Sequence, residues 1–193
     1  MSKPAVIGAL VGNPRPASRT LNAALAVREA IRLSLTERGR QVAIDGPLVE
    51  AAQLAEEVFT PGSDRVRSAL TELSTADILI VASPTYKATY TGLLKAVLDQ
   101  APGGWLQGTL AVPLLVAASD RHALAVEVHL RPLLVELGAL VPGPGIFLNQ
   151  SVLDGDQDAL TAQLLEQISA TGTPEALLAL LAMSSAPQEA GVG

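Results

Sequence analysis

Short apolar runs alternate with longer amphipathic segments along most of this chain, and this alternation constrains the fold more than any other feature. The clearest apolar runs cover residues 5–10, 77–82 and 110–117. A strand that is buried on both faces has this composition. Because helical patterns separate the runs, the chain is predicted to form an α/β structure, a parallel sheet with helices on both faces.

The remaining elements are predicted from apolar spacing and from glycine, proline and capping residues. Residues 1–183 are predicted to form one domain, and residues 184–193 have the composition of a flexible tail. Two more strands are expected at residues 42–44 and 139–148, which makes five in all. Helices are expected from Leu21 to a stop at Gly39, over residues 64–73 behind a Ser63 cap, over residues 91–100, from Ser119 or Asp120 to about residue 137 with a bend at Pro132, from Asp154, and from Thr173.

The composition excludes several classes of function. The chain has 193 residues, a formal net charge of −6 and no cysteine. It therefore lacks the basic surface of a nucleic-acid or membrane-surface protein and the thiols of disulfides or Cys–metal sites. Neither a signal-peptide pattern nor an apolar run of membrane-spanning length is visible, so a cytoplasmic protein is expected. The carboxylates and the two histidines form no metal-site or catalytic-triad pattern.

The loop after the first strand, residues 12–20, has the residues of a phosphate site. Gly12 allows a sharp turn out of the sheet, and the positive end of the following helix dipole attracts anions. The alternative is an ordinary strand–helix turn with a serine cap and solvated arginines. Since the P-loop and Gly-x-Gly-x-x-Gly patterns are absent, a mononucleotide with a terminal phosphate is the best candidate. The expected donors are Arg15, Ser18, Arg19 and Thr20.

The loop after the third strand, residues 83–92, is predicted to face a planar cofactor. Pro84 removes one backbone donor, and the amides of Thr85, Tyr86 and Lys87 are expected to point at a ring edge. Such amides stabilise negative charge on a reduced flavin. The alternative is that Tyr86 and Tyr90 only pack over the sheet edge. The loop after the fourth strand, residues 117–122, is expected to lie beside this one.

Together these loops resemble the NAD(P)H-dependent FMN reductase family, and within it the reductases of sulfonate and sulfone utilisation. The resemblance covers roughly residues 5–150 and depends on residues 12–20, 83–95 and 122–127, together with Arg131-Pro132. It implies a flavodoxin-like three-layer sandwich, and FMN that receives hydride from NADPH or NADH without a catalytic side chain. Arg15, Ser18, Arg19 and Thr20 would hold the FMN phosphate, Pro84, Thr85, Tyr86 and Lys87 would line the isoalloxazine ring, and Ser119 would lie near its pyrimidine end.

The resemblance also implies partners. Family members form dimers and tetramers through the helices after the third and fourth strands, and some supply reduced flavin to a monooxygenase. Two places depart from the family pattern. The loop after the fourth strand is often glycine-rich in close relatives and has Ala117-Ala118 here, and the place where some relatives carry an aromatic insertion is Val128-His129, without an aromatic. The residues expected at the subunit interface are Leu93, Leu94, Val97, Leu98, Leu124, Val128 and Leu133.

Three other functions remain open from the sequence. A quinone or azo reductase with bound FMN would use the same loops. A non-enzymatic flavodoxin-type electron carrier usually has a Thr/Ser-rich phosphate loop and a strongly acidic rim, which Arg15 and Arg19 argue against. An α/β ligand-binding module would not bind FMN at all.

Overall fold

One parallel β-sheet organises the computed structural model, which describes residues 3–184. The strand order is β2–β1–β3–β4–β5, which is the flavodoxin-like order. The predicted fold class is therefore confirmed. The strands are β1 (Ile7–Val11), β2 (Leu48–Glu50), β3 (Ile78–Pro84), β4 (Leu110–Ala117) and β5 (Ile146–Asn149).

Helices cover both faces of the sheet. The side chains of each strand point alternately to the two faces, so each face has its own apolar core. Ile78 and Ile80 of β3 pack into one core, and Leu79 and Val81 pack into the other. The first core is covered by α1, α5 and α6, and the second by α2, α3 and α4. These helices are α1 (Arg19–Glu37), α2 (Asp64–Leu73), α3 (Gly92–Leu98), α4 (Arg131–Glu136), α5 (Gln157–Ala170) and α6 (Thr173–Ser184).

The second strand differs from its prediction. Val42, in the predicted strand, makes only an isolated bridge with Ala5, and β2 begins at Leu48. The intervening chain passes so close to β1 that a Cβ on Gly46 would lie 2.2 Å from the Ile7 carbonyl oxygen. Pairing with β1 therefore resumes only after this close approach, and places Glu50 beside Val11.

The predicted helix after β4 is divided. A 3₁₀ turn covers Asp120–His122, a π-helix covers Val126–Leu130, and α4 follows. The Arg131 amide donates to the Val126 carbonyl, five residues back. Pro132 lies in the first turn of α4, where its missing N–H costs least. The segment expected to form one helix is thus interrupted by a widened turn before Pro132.

Other element boundaries also differ from prediction. Leu140 makes only a bridge with Leu110, and β5 is confined to Ile146–Asn149. Asp156, rather than Asp154, caps α5. The predicted cap of α2 by Ser63 is confirmed, since its side chain accepts from the Val66 amide. Most of the predicted tail, residues 185–193, lies outside the described residues.

Candidate flavin site

Three loops meet at the carboxyl edge of the sheet. Strand pairing places Val11 beside Ala82, and Pro84 beside Val116. The loops after β1, β3 and β4, called the first, second and third loops below, are therefore neighbours. In open parallel sheets, ligands bind in the crevice at this edge, where the strand order reverses. Here the reversal lies between β1 and β3.

The first loop is organised by Asn13. Its amide nitrogen donates to Thr20 Oγ1 at 3.0 Å, and its side-chain oxygen accepts from the Arg15 amide at 2.9 Å. Ser18 caps α1, its Oγ accepting from the Leu21 amide at 3.3 Å. The loop therefore lies at the positive end of the dipole of α1, a 19-residue helix.

The two arginines of this loop differ in their partners. Arg19 pairs with Asp154, which follows β5, at 2.7 Å. Arg15 is exposed, and it makes no ion pair within residues 3–184. Arg15 is thus the unneutralised cation of the loop. Thr20, by contrast, is almost fully buried, and its hydroxyl oxygen already accepts a hydrogen bond from Asn13.

A carboxylate also enters the first loop. Glu50, the last residue of β2, accepts a hydrogen bond from the Ala17 amide at 2.9 Å. Ala17 has a φ of 48°, in the left-handed region that is uncommon for residues other than glycine. Neither Asn13 nor Glu50 was among the residues predicted for the site. The pairing of an asparagine with a nearby backbone amide is a signal for Asn13, whereas the contact of Glu50 depends on the register of β2.

Gly12 is required for space rather than for its backbone angles. It is absent from the glycines with positive φ, but a Cβ there would lie 2.5 Å from Leu94 Cβ of α3. Thr91, the cap of α3, donates its hydroxyl hydrogen to the Gly12 carbonyl oxygen and accepts from the Leu94 amide. The end of the first strand and the start of α3 are therefore held together at van der Waals contact.

The second loop exposes fewer amides than predicted. The Thr85 amide donates to the Val116 carbonyl at 2.7 Å, and the Tyr86 amide donates to the Thr89 carbonyl at 2.8 Å. The first bond extends the pairing of β3 with β4, and the second closes the turn between Tyr86 and Thr89. Lys87 keeps its amide free of protein acceptors in the described part of the chain.

The exposed amide of Lys87 belongs to a strained turn. Lys87 and Ala88 have φ values of 51° and 70°, and the flanking Tyr86 and Thr89 form an antiparallel bridge. Two successive residues with positive φ define the tight hairpin turns that glycine and asparagine normally occupy. Such strain is found preferentially at functional sites.

The remaining predicted residues take different positions. The Tyr86 side chain is 48% exposed, whereas Tyr90 packs against the second core. Ser119 is half-buried, and its Oγ accepts from the Arg121 amide at 3.4 Å in the third loop. The structure thus places the nine predicted residues on the three adjacent loops and at their flanks, with Pro84 inside β3 and Thr20 buried.

A charge pair holds the π-helix beside the third loop. Arg131 pairs with Glu127 and donates to the Val141 carbonyl at 3.0 Å. Glu127 also accepts from the Gly145 amide. The hydrogen bond from Arg131 is the main reason that the pKa of Glu127 lies below its ordinary value. This network fixes the π-helix to the chain that leads into β5.

An apolar groove of about 1020 Å³ lies outside the three loops, between α2, α3 and residues 58–63. Leu70, Ala96 and Trp105 contribute to its walls. The Trp105 indole N–H donates to the Leu70 carbonyl at 3.0 Å, so the tryptophan has a structural partner. None of the nine predicted site residues lines this groove.

The fold is flavodoxin-like, and the loop at the positive end of α1 lies beside the turn that leaves the Lys87 amide exposed. Residues 6–153 match the model of the family described as NADPH-dependent FMN reductase. The chain belongs to this family. No helix within residues 3–184 has the length and apolar character needed to cross a membrane.

Individual relatives agree with this assignment. The chain is 44% identical to the FMN reductase (NADPH) of Escherichia coli over 80 residues, 42% of each protein. It is 35% identical to the NADH-dependent FMN reductase SfnE of Pseudomonas putida over 162 residues, 78% of this chain and 80% of the relative. The apo crystal structure of the NADH:FMN oxidoreductase EMOB superposes with a TM-score of 0.69 at 28% identity, covering 96% of this chain and 92% of EMOB.

Proposed function

We propose that this chain is an NAD(P)H:FMN oxidoreductase that binds FMN across the first and second loops. One juxtaposition carries the proposal: the Thr91–Gly12 hydrogen bond joins an anion-binding loop to the start of α3, directly after the strained turn. A flavin mononucleotide needs these two features together, because its phosphate and its ring lie at opposite ends of one molecule.

The first loop would bind the phosphate. Arg15 supplies the unpaired positive charge, and backbone amides at the start of α1 supply hydrogen-bond donors. Ser18 and Thr20 support the loop from within, through the α1 cap and the Asn13 contact. Arg19 contributes charge while it stays paired with Asp154.

The second and third loops would bind the ring. Bound FMN supplies the hydride-accepting centre, with NADPH or NADH as donor. Pro84 and Thr85, which are held beside β4, would contact the ring, the Lys87 amide would offer a donor, and the exposed Tyr86 would offer an aromatic surface. Ser119, on the neighbouring strand end, would border the pyrimidine end.

The proposal includes self-association of the chain and a protein that receives the reduced flavin. Leu124 and Val128, which follow the third loop in the chain, are 68% and 52% exposed. This exposure favours self-association into a dimer or tetramer. Leu94, Val97 and Leu98, predicted at the same interface, are instead buried in the core. A flavin-dependent monooxygenase in the cytoplasm is the proposed recipient of the reduced flavin, in keeping with relatives named SfnE and SfnF.

The activity is tested by mixing the protein with FMN and either NADPH or NADH and following nicotinamide absorbance. Oxidation of at least one donor, dependent on both protein and flavin, is expected. Failure with both donors would contradict the proposed reductase activity.

The phosphate site is tested by Arg15→Ala. Because only FMN carries the phosphate, its dissociation constant should rise about tenfold while that of riboflavin changes little. Fluorescence titration with both flavins measures this difference. Arg28→Ala removes the same charge thirteen residues farther along the chain, within α1, and should leave both constants unchanged. Equal weakening of both flavins by Arg15→Ala would refute the assigned role.

A further inference from the structure

The Glu50 carboxylate occupies a donor of the loop to which we assign the flavin phosphate. Its Oε2 lies 2.9 Å from the Ala17 nitrogen. Ala17 immediately precedes Ser18, the cap of α1. An acidic side chain therefore takes the position that an anionic ligand would use at this amide.

The carboxylate and a phosphate cannot both accept from this amide without conflict. A single N–H favours one acceptor, and a phosphate oxygen on the Ala17 amide would lie next to the Glu50 oxygen. Like charges at such a separation repel, although water moderates the repulsion at this exposed contact. Glu50 is half-buried and makes no ion pair within residues 3–184.

Two roles for Glu50 predict opposite effects. As a brace, it would hold Ala17 at its left-handed φ of 48° and so preserve the loop for phosphate. As a competitor, it would have to leave the amide whenever phosphate arrives, and would weaken FMN binding. The charge of Glu50 favours the second role, because a neutral acceptor would brace the loop equally well.

We propose that Glu50 is an internal competitor for the FMN phosphate, and that it sets how strongly the protein prefers FMN to riboflavin. This inference rests on the proposed flavin-binding function. Its consequence is a flavin that dissociates readily, since affinity differences within one site are expressed mainly in the dissociation rate.

The experiment compares FMN and riboflavin binding to the full chain and to Glu50→Gln and Glu50→Ala. Both substitutions should lower the FMN dissociation constant, by about three- to tenfold, and leave riboflavin within about twofold. Stopped-flow measurement should show that FMN leaves more slowly. Glu56→Gln, which removes an exposed carboxylate from the next turn of chain, is the matched control and should change neither flavin.

The outcomes separate this inference from the proposed function. Weaker FMN binding in Glu50→Ala, or unchanged FMN preference in both Glu50 variants, overturns the competitor role. If FMN preference is lost in Arg15→Ala but unchanged in the Glu50 variants, the phosphate site stands and only the role of Glu50 fails. If the unsubstituted protein binds FMN and riboflavin equally, the phosphate site and the competitor role are both wrong. Thermal melts of both Glu50 variants establish that each is folded.

Discussion

Gly12 allows α3 to pack closely against the end of β1, because glycine has no side chain. A Cβ at this residue would overlap Leu94 Cβ at 2.5 Å. Gly12→Ala should therefore lower the free energy of unfolding by about 1–3 kcal/mol, because α3 must move away from β1. Urea denaturation measures the loss.

The control for this prediction is Gly92→Ala. Gly92 begins α3, and a Cβ there meets nothing within 4 Å. That variant should be as stable as the parent protein, or more stable by up to about 1 kcal/mol. If Gly12→Ala unfolded at the same denaturant concentration as Gly92→Ala, the close packing of α3 on β1 would not limit this position.

At the residue scale, local patterns predicted some contacts and missed others. Ser18 and Ser63 cap helices as expected, since a cap is decided within four consecutive residues. The contacts of Glu50 with Ala17 and of Asp154 with Arg19 span 33 and 135 residues. No local pattern encodes them, because they depend on which strand ends become neighbours.

The turn between β3 and α3 carries strain that a single substitution should relieve. Ala88 has a φ of 70°, which costs about 1–2 kcal/mol for a residue with a Cβ. Ala88→Gly should therefore raise the free energy of unfolding by about 1 kcal/mol. Differential scanning calorimetry measures the gain.

The same substitution in a regular helix should have the opposite effect. Ala96→Gly within α3 is expected to destabilise the protein by about 0.5–1 kcal/mol, because glycine loses more backbone freedom there. Two variants that both lowered stability would show that the turn does not store conformational strain.

At the element scale, prediction succeeded where an element has one clear period. The ranges of α2 and β4 match their predictions residue for residue. The segment from residue 119 to 137 also has an apolar helical pattern, but it forms a 3₁₀ turn, a π-helix and α4. Periodicity does not separate these forms, and the contacts of Glu127 and Arg131 with Gly145 and Val141, which accompany the π-helix, lie outside the local pattern.

For the whole molecule, the exposed apolar side chains at Leu124 and Val128 predict self-association. Light scattering at micromolar concentration should give a mass of two or four chains. Val128→Lys should shift this mass toward one chain, because a buried unpaired ammonium opposes association. Met183→Lys adds the same charge at another exposed apolar side chain, on α6, and should leave the mass unchanged. A single-chain mass for the unsubstituted protein would exclude this interface.

The sequence by itself determined the layered architecture and the position of the loop proposed to bind the phosphate. Buried strands such as 110–117 are apolar throughout, and the helix that follows residues 12–18 has its own cap. Both features depend only on residues that are close together in the sequence. The resemblance of residues 83–95 to known reductases likewise needed no coordinates.

Only the tertiary structure decided which side chains contact the loop after β1 and which of its charges stay unpaired. Folding pairs Arg19 with Asp154, leaves Arg15 unpaired and brings Glu50 onto the Ala17 amide. It also uses the Thr85 and Tyr86 amides inside the protein, so that the Lys87 amide remains. The physical reason is that hydrogen bonds and ion pairs act over a few ångströms, and strand order decides which distant residues come within that range.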